Sequence, residues 1–143
     1  PPPPTRTLLV MGDSLSAGYG MAASEGWVGL LADRMRDSHP DWTVVNASIS
    51  GETSAGGSAR VVDEVLRHRP AVVMIALGAN DGLRGLPLRE MRRSGSSAVT
   101  SISSVAVIPI ILRVSRHRKP TEYGPGESSS TASMPERFSS ACA

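Results

Sequence analysis

The sequence predicts an α/β fold in which helices cover a parallel sheet. Two observations support this prediction. Short apolar runs, typical of strands buried on both faces, alternate with segments of helical periodicity, and the connections between them are short. Consecutive strand-helix-strand units of this kind close right-handed onto a parallel sheet. Three glycine-containing loops should therefore meet beyond the carboxyl ends of the strands, where such sheets bind their ligands.

The first half of the chain predicts two strands and one helix. The first strand is expected over residues 7–11, because a uniformly apolar run there ends at a glycine. The helix contains the sequence WVGLLADRMRD, and SHPD ends it. The β-branched segment over residues 43–46 predicts the second strand. The apolar stripe of the helix is expected to consist of residues at helical spacing: Trp27, Leu30, Leu31 and Met35.

A second helix and a third strand follow. The helix contains SARVVDEVLRHR, and Pro70 ends it before the buried-type sequence AVVMIAL of the third strand. Beyond Arg93 the alternating pattern is expected to stop, because the segment is rich in serine and has little helical periodicity. The sequence VAVIPIILRV could form one more strand, but Pro109 would exclude it from a central position. The second helix should bury four residues: Val61, Val62, Val65 and Leu66.

Composition argues against several classes of function. Aromatic residues make up 3% of the 143 residues, too few for the stacking platforms that bind single-stranded nucleic acid. The formal net charge is +2, and the cations are scattered, so we interpret them as solvated side chains rather than a polyanion site. No apolar run reaches the roughly 20 residues that span a bilayer. The single cysteine, Cys142, excludes an internal disulfide.

Polar groups suited to acyl transfer follow all three predicted strands. Ser14 comes just after the first strand, where a rigid backbone and nearby amides can support a nucleophile. In the second loop, Gly51 permits close approach of a backbone amide, and in the third loop Asn80 offers a side-chain amide. A hydroxyl with such amide donors matches attack on an acyl carbon with stabilisation of the oxyanion. The alternative interpretation of Ser14 is a loop serine that caps the following turn.

The blocks GDSLSAGYG, NASISGETS and LGANDGLRG occur in this order, and with them residues 7–93 resemble the GDSL/SGNH hydrolase family. Within it, the sequence is most similar to the bacterial thioesterase I, lysophospholipase and arylesterase group. The resemblance implies a flavodoxin-like three-layer sandwich with a parallel sheet, truncated here after the third strand. It implies no cofactor, and substrates that are small acyl esters, thioesters or lysophospholipids. It also suggests a periplasmic or secreted location, and it leaves the oligomeric state open.

The resemblance further implies roles for individual residues. Ser14 would be the nucleophile, and the oxyanion hole would comprise the backbone amides of Ser14 and Gly51 and the side chain of Asn80. Asp13 would support the first loop. No His, Asp or Glu cluster has metal-ligand spacing, and neither Gly-x-Gly-x-x-Gly nor a P-loop is present. A mobile substrate loop, with an ordinary surface turn as the alternative, is expected over six residues: Gly82, Leu83, Arg84, Gly85, Leu86 and Pro87.

The remaining block of the family, Asp-x-x-His, is absent from this sequence. It would supply the general base for Ser14 and the aspartate that orients it, and no aspartate follows Asp81. A serine hydroxyl without a base is a poor nucleophile. Two functions therefore stay open: a hydrolase that forms an acyl-Ser14 intermediate, and a non-catalytic fragment or acyl-binding relative. An aspartate three positions upstream is missing for each of the three histidines: His39, His68 and His117.

The chain is expected to consist of three parts. These are a proline-rich leader over residues 1–6, a partial hydrolase domain over residues 7–93 and a divergent serine-rich tail over residues 94–143. For the tail, an altered reading frame, a truncation and a misassembled gene model are the open explanations, and disorder is expected from Ser115 onward. A sheet that ended at the third strand would leave that strand as an exposed hydrophobic edge.

Overall fold

A computed structural model describes residues 5–109, which form a parallel sheet with helices on both faces. The strands lie in the order β2-β1-β3-β4, and every neighbouring pair is parallel. The predicted α/β class is confirmed. The elements are, in chain order, β1 (Arg6–Gly12), α1 (Ser14–Ala17), α2 (Trp27–Ser38), β2 (Trp42–Asn46), α3 (Ser54–His68), β3 (Val72–Ala76), α4 (Ala79–Leu83), α5 (Leu88–Ser101) and β4 (Ala106–Pro109).

β1 lies inside the sheet because its side chains are apolar on both faces. Successive side chains of a strand point to opposite faces. Leu8 and Val10 accordingly pack with Val28 of α2, whereas Leu9 and Met11 belong to a second cluster on the other face. The sheet therefore separates two helical layers, as a three-layer sandwich requires. The buried members of the second cluster, which join the sheet to α3 and α5, are Leu9, Met11, Val61, Val73, Ala98 and Ile102.

The buried faces of the helices are narrower than the sequence predicts. Leu30 of α2 is exposed, and in α3 Val61 is buried while Val62 and Leu66 are exposed. The reason is that each helix has one layer of neighbours, so a residue about 100° around the helix from the buried stripe faces solvent. The apolar contacts of α2 with the sheet come from residues at spacings of three and four: Val28, Leu31 and Met35.

The sheet has a fourth strand, which corrects the expectation that the fold ends after the third. α5 continues through Arg93, where the sequence predicts a boundary, and β4 pairs with β3 along four residues. Hydrophobic periodicity does not reveal α5, because the helix makes its buried contacts through small residues such as Ala98. The larger buried residue, Ile102, comes immediately after the helix. β4 covers the edge of β3 that was expected to be exposed. Pro109 takes the last position of β4. Proline lacks an N–H, and this position tolerates the loss because β4 is an edge strand of the described sheet.

Several predictions concern parts of the chain that are not described. Residues 1–4 of the expected leader, and the segment 110–143 with His117 and Cys142, lie outside the described residues. The three-part division of the chain stays a prediction. Within residues 5–109, no helix combines the length and the apolar character needed to cross a membrane.

Candidate active site

Three loops meet at the carboxyl edge of the sheet, and backbone hydrogen bonds hold the first two together. Gly12, at the end of β1, is in register with Ala76 at the end of β3. The chain leaving β2 follows β1, since the Ala47 N–H donates to the Val10 carbonyl at 2.8 Å. The Ile49 N–H then donates to the Gly12 carbonyl at 3.0 Å. The second loop therefore lies against the end of the strand that leads to the first.

The Gly-Asp-Ser sequence has a local structural reason at each position. Gly12 has no room for a side chain, because a Cβ there would lie 2.6 Å from the Ser16 Cβ. Asp13 is buried and caps α1, with its Oδ1 accepting from the Leu15 N–H at 3.0 Å. Ser14 is the first residue of α1 and is half-buried. The predicted nucleophile thus occupies the start of a one-turn helix that its neighbour Asp13 stabilises.

Gly51 lies in a tight turn, closed by the Glu52 N–H donating to the Ile49 carbonyl at 3.1 Å. Its φ of 82° is in the left-handed region, and glycine is favoured at this position of such a turn. A Cβ would have the Arg84 Nη2 as its nearest described neighbour, at 3.8 Å, which is ordinary contact. Glycine is therefore needed at position 51 for its backbone conformation.

The third loop reaches the second through two hydrogen bonds. The Asn80 Nδ2 donates to the Glu52 carbonyl at 2.9 Å. The Arg84 Nη2 donates to the Gly51 carbonyl at 3.1 Å, from within the expected substrate loop. A side-chain amide carries two N–H donors, so this bond to Glu52 uses one of those of Asn80. The structure thus brings the loops that carry Ser14, Gly51 and Asn80 to one place.

Asp81 is a buried residue at this edge for which the sequence pattern predicts no role. Its side chain is 2% exposed, and its Oδ2 accepts from the Ser54 N–H at 2.8 Å. Ser54 is the first residue of α3, so its amide has no acceptor within the helix, and a negative charge suits the positive end of the helix dipole. The sequence feature that could have indicated this residue is an aspartate directly after Asn80, in the loop at the end of a strand. The pattern does not indicate which helix that aspartate reaches.

Arg60 of α3 fixes the second loop from another side. Its Nε lies 2.6 Å from the Glu52 Oε2, and its Nη2 donates to the Ala47 carbonyl at 2.6 Å. Both members of the Arg60–Glu52 pair are largely buried. The second loop is therefore held by β1, by α3 and by the third loop, so that Gly51 has a well-defined position.

The two histidines within residues 5–109 lie at the opposite edge of the sheet. His39 follows α2, and its carbonyl accepts from the N–H of Trp42, which is in register with the first residue of β1. His68 ends α3, four residues before β3 begins. Ser14 follows the other end of β1, and seven strand residues span about 20 Å. Neither histidine can therefore accept the proton of Ser14, and the third, His117, lies outside the described residues.

An apolar cavity reaches this edge of the sheet, because Ser54 and Leu77 belong to its lining. It has a volume of about 500 Å³ and lies between α3, α5 and the sheet, with Met11, Val61, Leu77 and Ala98 in its walls. Its lining does not include the predicted nucleophile, Ser14, or the other two residues predicted to donate to the oxyanion, Gly51 and Asn80. Within the described part of the chain, no group of three or more His, Cys, Asp or Glu side chains could hold a metal ion.

The sequence is similar to one family model and to several named proteins. The model of the GDSL-like Lipase/Acylhydrolase family matches residues 10–139, further than the 7–93 that the motifs indicate. The Esterase TesA of Pseudomonas aeruginosa is 43% identical over 120 residues, which are 84% of this chain and 58% of that protein. The Thioesterase 1/protease 1/lysophospholipase L1 of Escherichia coli is 40% identical over 118 residues, 82% of this chain and 54% of that protein.

The fold comparison leads to the same family. A crystal structure of TesA is similar with a TM-score of 0.70 and 45% identity, covering 73% of this chain and 59% of that one. The chain thus spans little more than half the length of the relatives that it matches. The family model nevertheless covers most of the chain, and the parallel sandwich agrees with the fold of TesA. The chain belongs to the GDSL-like lipase/acylhydrolase family.

Proposed function

We propose that the protein is a serine ester or thioester hydrolase that acts through an acyl-Ser14 intermediate. The observation that carries this proposal is the convergence of the three loops, joined by the Ile49–Gly12 and Asn80–Glu52 hydrogen bonds. Relatives named esterase, arylesterase and thioesterase/lysophospholipase support the substrate class. The proposed substrates are small acyl esters, acyl thioesters and lysophospholipids.

In the proposed reaction, the Ser14 hydroxyl attacks the acyl carbon and the carbonyl oxygen becomes an oxyanion. Three donors would stabilise this oxygen, one from each loop: the Ser14 amide, the Gly51 amide and the second Nδ2 hydrogen of Asn80. The proton lost by the Ser14 hydroxyl passes through solvent water to the leaving alcohol or thiol as the bond of that group to the acyl carbon breaks. Water then hydrolyses the acyl-Ser14 ester and regenerates the hydroxyl.

One observation favours a second candidate, an acyl-binding relative without turnover. Both described histidines lie about 20 Å from Ser14 along β1, and the 143 residues contain no Asp-x-x-His. Loss of a triad member typically leaves about 10³ to 10⁴-fold catalysis over water, which comes from the oxyanion hole and binding. In this candidate the same loops would bind an acyl group that Ser14 does not attack.

The two candidates are separated by p-nitrophenyl acetate and butyrate. For the hydrolase, we expect p-nitrophenol release at least about tenfold faster than with Ser14→Ala, and an acyl adduct on the intact protein that Ser14→Ala lacks. Ser38→Ala, at the end of α2 near the opposite edge, should behave as the wild type. Equal rates in wild type and Ser14→Ala, with no adduct, would exclude the hydrolase and leave the binding function.

Added imidazole independently tests whether Ser14 is a nucleophile that lacks a general base. If Ser14 is a nucleophile that lacks a general base, imidazole should accelerate adduct formation in the wild type. With Ser14→Ala, imidazole should release p-nitrophenol only as fast as it does in the absence of protein. An acceleration of equal size in both proteins would show that imidazole does not act through Ser14.

A further inference from the structure

Large apolar side chains are exposed at the sheet edge that carries Ser14. Within residues 5–109, 13 large hydrophobic side chains are exposed, and seven of them follow the carboxyl ends of β1, β2 and β3. Leu83, 84% exposed, and Tyr19, 77% exposed, have the highest values of all. Exposed apolar groups clustered in this way indicate an interaction site. We call these seven residues the apolar edge: Leu15, Tyr19, Met21, Ile49, Leu83, Leu86 and Leu88.

Positive charge accompanies the leucines of the apolar edge. Residues 82–93 contain three leucines, four arginines and one glutamate, which gives this segment a net charge of +3. All four arginines are exposed, and none forms an ion pair with another described residue. The Glu52 carboxylate is paired with Arg60, whereas the buried Asp81 carboxylate keeps its charge, so residues 81–93 together have a net charge of +2. The edge therefore attracts an anionic surface.

We propose that the apolar edge docks on the surface of an anionic phospholipid bilayer. The leucines would enter the boundary between head groups and acyl chains while the arginines contact lipid phosphates, the combination by which peripheral proteins bind interfaces. Tyr19 suits this position because its ring is apolar and its hydroxyl is polar. A second copy of the chain is a less suitable partner, because it would bring the net charge of +3 of residues 82–93 against a segment of the same sign.

Docking in this orientation turns the loops that carry Ser14, Gly51 and Asn80 toward the lipid. The proposal concerns binding and does not depend on Ser14 being a nucleophile. Ser14→Ala should therefore bind vesicles as the wild type does. Loss of hydrolysis with unchanged vesicle binding would count against the proposed function alone, and hydrolysis of soluble esters without vesicle binding would overturn the docking alone.

The test is flotation with vesicles of equimolar phosphatidylcholine and phosphatidylglycerol, compared with phosphatidylcholine vesicles. We expect binding to the anionic vesicles that weakens as salt screens the arginines. The double variant Leu83→Ser/Leu86→Ser should lower the partition coefficient at least about tenfold, because it removes apolar area from the edge. Leu66→Ser is the matched control, since Leu66 is 70% exposed but lies near the end of α3, away from the loops. It should change binding less than about twofold.

A second variant keeps the proposal testable if the leucine variant fails to fold. Arg89→Gln/Arg93→Gln preserves the apolar edge and should reduce binding to anionic vesicles severalfold, with a weaker dependence on salt. Equal binding to both vesicle types, or unchanged binding by the leucine variant, would overturn the proposal. Dimerisation that the leucine variant abolishes, in a protein that does not float with vesicles, would also overturn it and assign the edge to a second copy of the chain.

Discussion

Replacing Asp81 with alanine is expected to lower the free energy of unfolding by about 2–3 kcal/mol. The carboxylate is buried and accepts the Ser54 N–H at 2.8 Å, so the substitution leaves a buried amide at the start of α3 without its charged acceptor. It also removes the hydrogen bond that joins the third loop to α3. Urea unfolding of the two proteins, followed by circular dichroism, measures the difference.

Two controls isolate the hydrogen bond from the loss of an aspartate. Asp63 is exposed on α3 and forms no ion pair with a described residue, so Asp63→Ala should change stability by less than about 0.5 kcal/mol. Asp81→Asn keeps an oxygen acceptor without the charge and should cost about 1 kcal/mol. If Asp81→Ala were as stable as Asp63→Ala, the Asp81–Ser54 hydrogen bond would contribute nothing to the free energy of unfolding.

Gly29→Ala is expected to destabilise the protein by about 3 kcal/mol, although alanine favours a helix interior by about 1 kcal/mol over glycine. Gly29 lies in α2, and a Cβ there would overlap the Ala23 carbonyl and approach the Ser24 Cα to 2.9 Å. These are backbone atoms of the connection between α1 and α2, and a backbone cannot rotate away as a long side chain can. The helix or the connection would have to move, with loss of packing.

The same chemical change should have the opposite sign at Gly95. This residue lies within α5, and a Cβ there meets no described atom within 4 Å. Gly95→Ala should therefore stabilise the protein by up to about 1 kcal/mol through helix propensity. Melting temperatures of the two variants measure the contrast. A Gly29→Ala protein that melts at or above the wild-type temperature would contradict the close approach of α2 to the segment before it.

Local pattern predicts the strands well because the sequence evidence for them is local. β1 is expected over residues 7–11 and found over Arg6–Gly12, since an apolar run that ends at glycine has few other interpretations. α5 was not predicted because its burial depends on its partner, whereas β4 lies within VAVIPIILRV, which was expected to form at most a strand outside the centre of the sheet. A serine-rich helix can pack closely on α3 through small residues such as Ala98, and a search for hydrophobic periodicity does not detect such residues. The exposure of Leu66 likewise depends on where α3 meets its neighbours.

The candidate site could be predicted as far as topology alone determines it. Parallel strands bring their carboxyl ends to one edge, so the loops of Ser14, Gly51 and Asn80 had to be close. The contacts that hold these loops join residues far apart in sequence, such as Asp81 to Ser54 and Arg84 to Gly51, 27 and 33 positions apart. Such contacts depend on distances within the folded chain, and no spacing rule in the sequence expresses them.

The double pairing of β1 has a consequence for how the protein fluctuates. Leu8, Leu9 and Val10 are paired with β2 on one side and with β3 on the other. Their amides can exchange hydrogen with solvent only when the sheet separates, so they should be the slowest to exchange. The loops with Gly51 and Asn80, tied by individual hydrogen bonds, should open at a smaller free-energy cost. Thermal opening would therefore move the proposed donors of Gly51 and Asn80 away, while Ser14 and its amide stay two residues from the end of the most persistent strand.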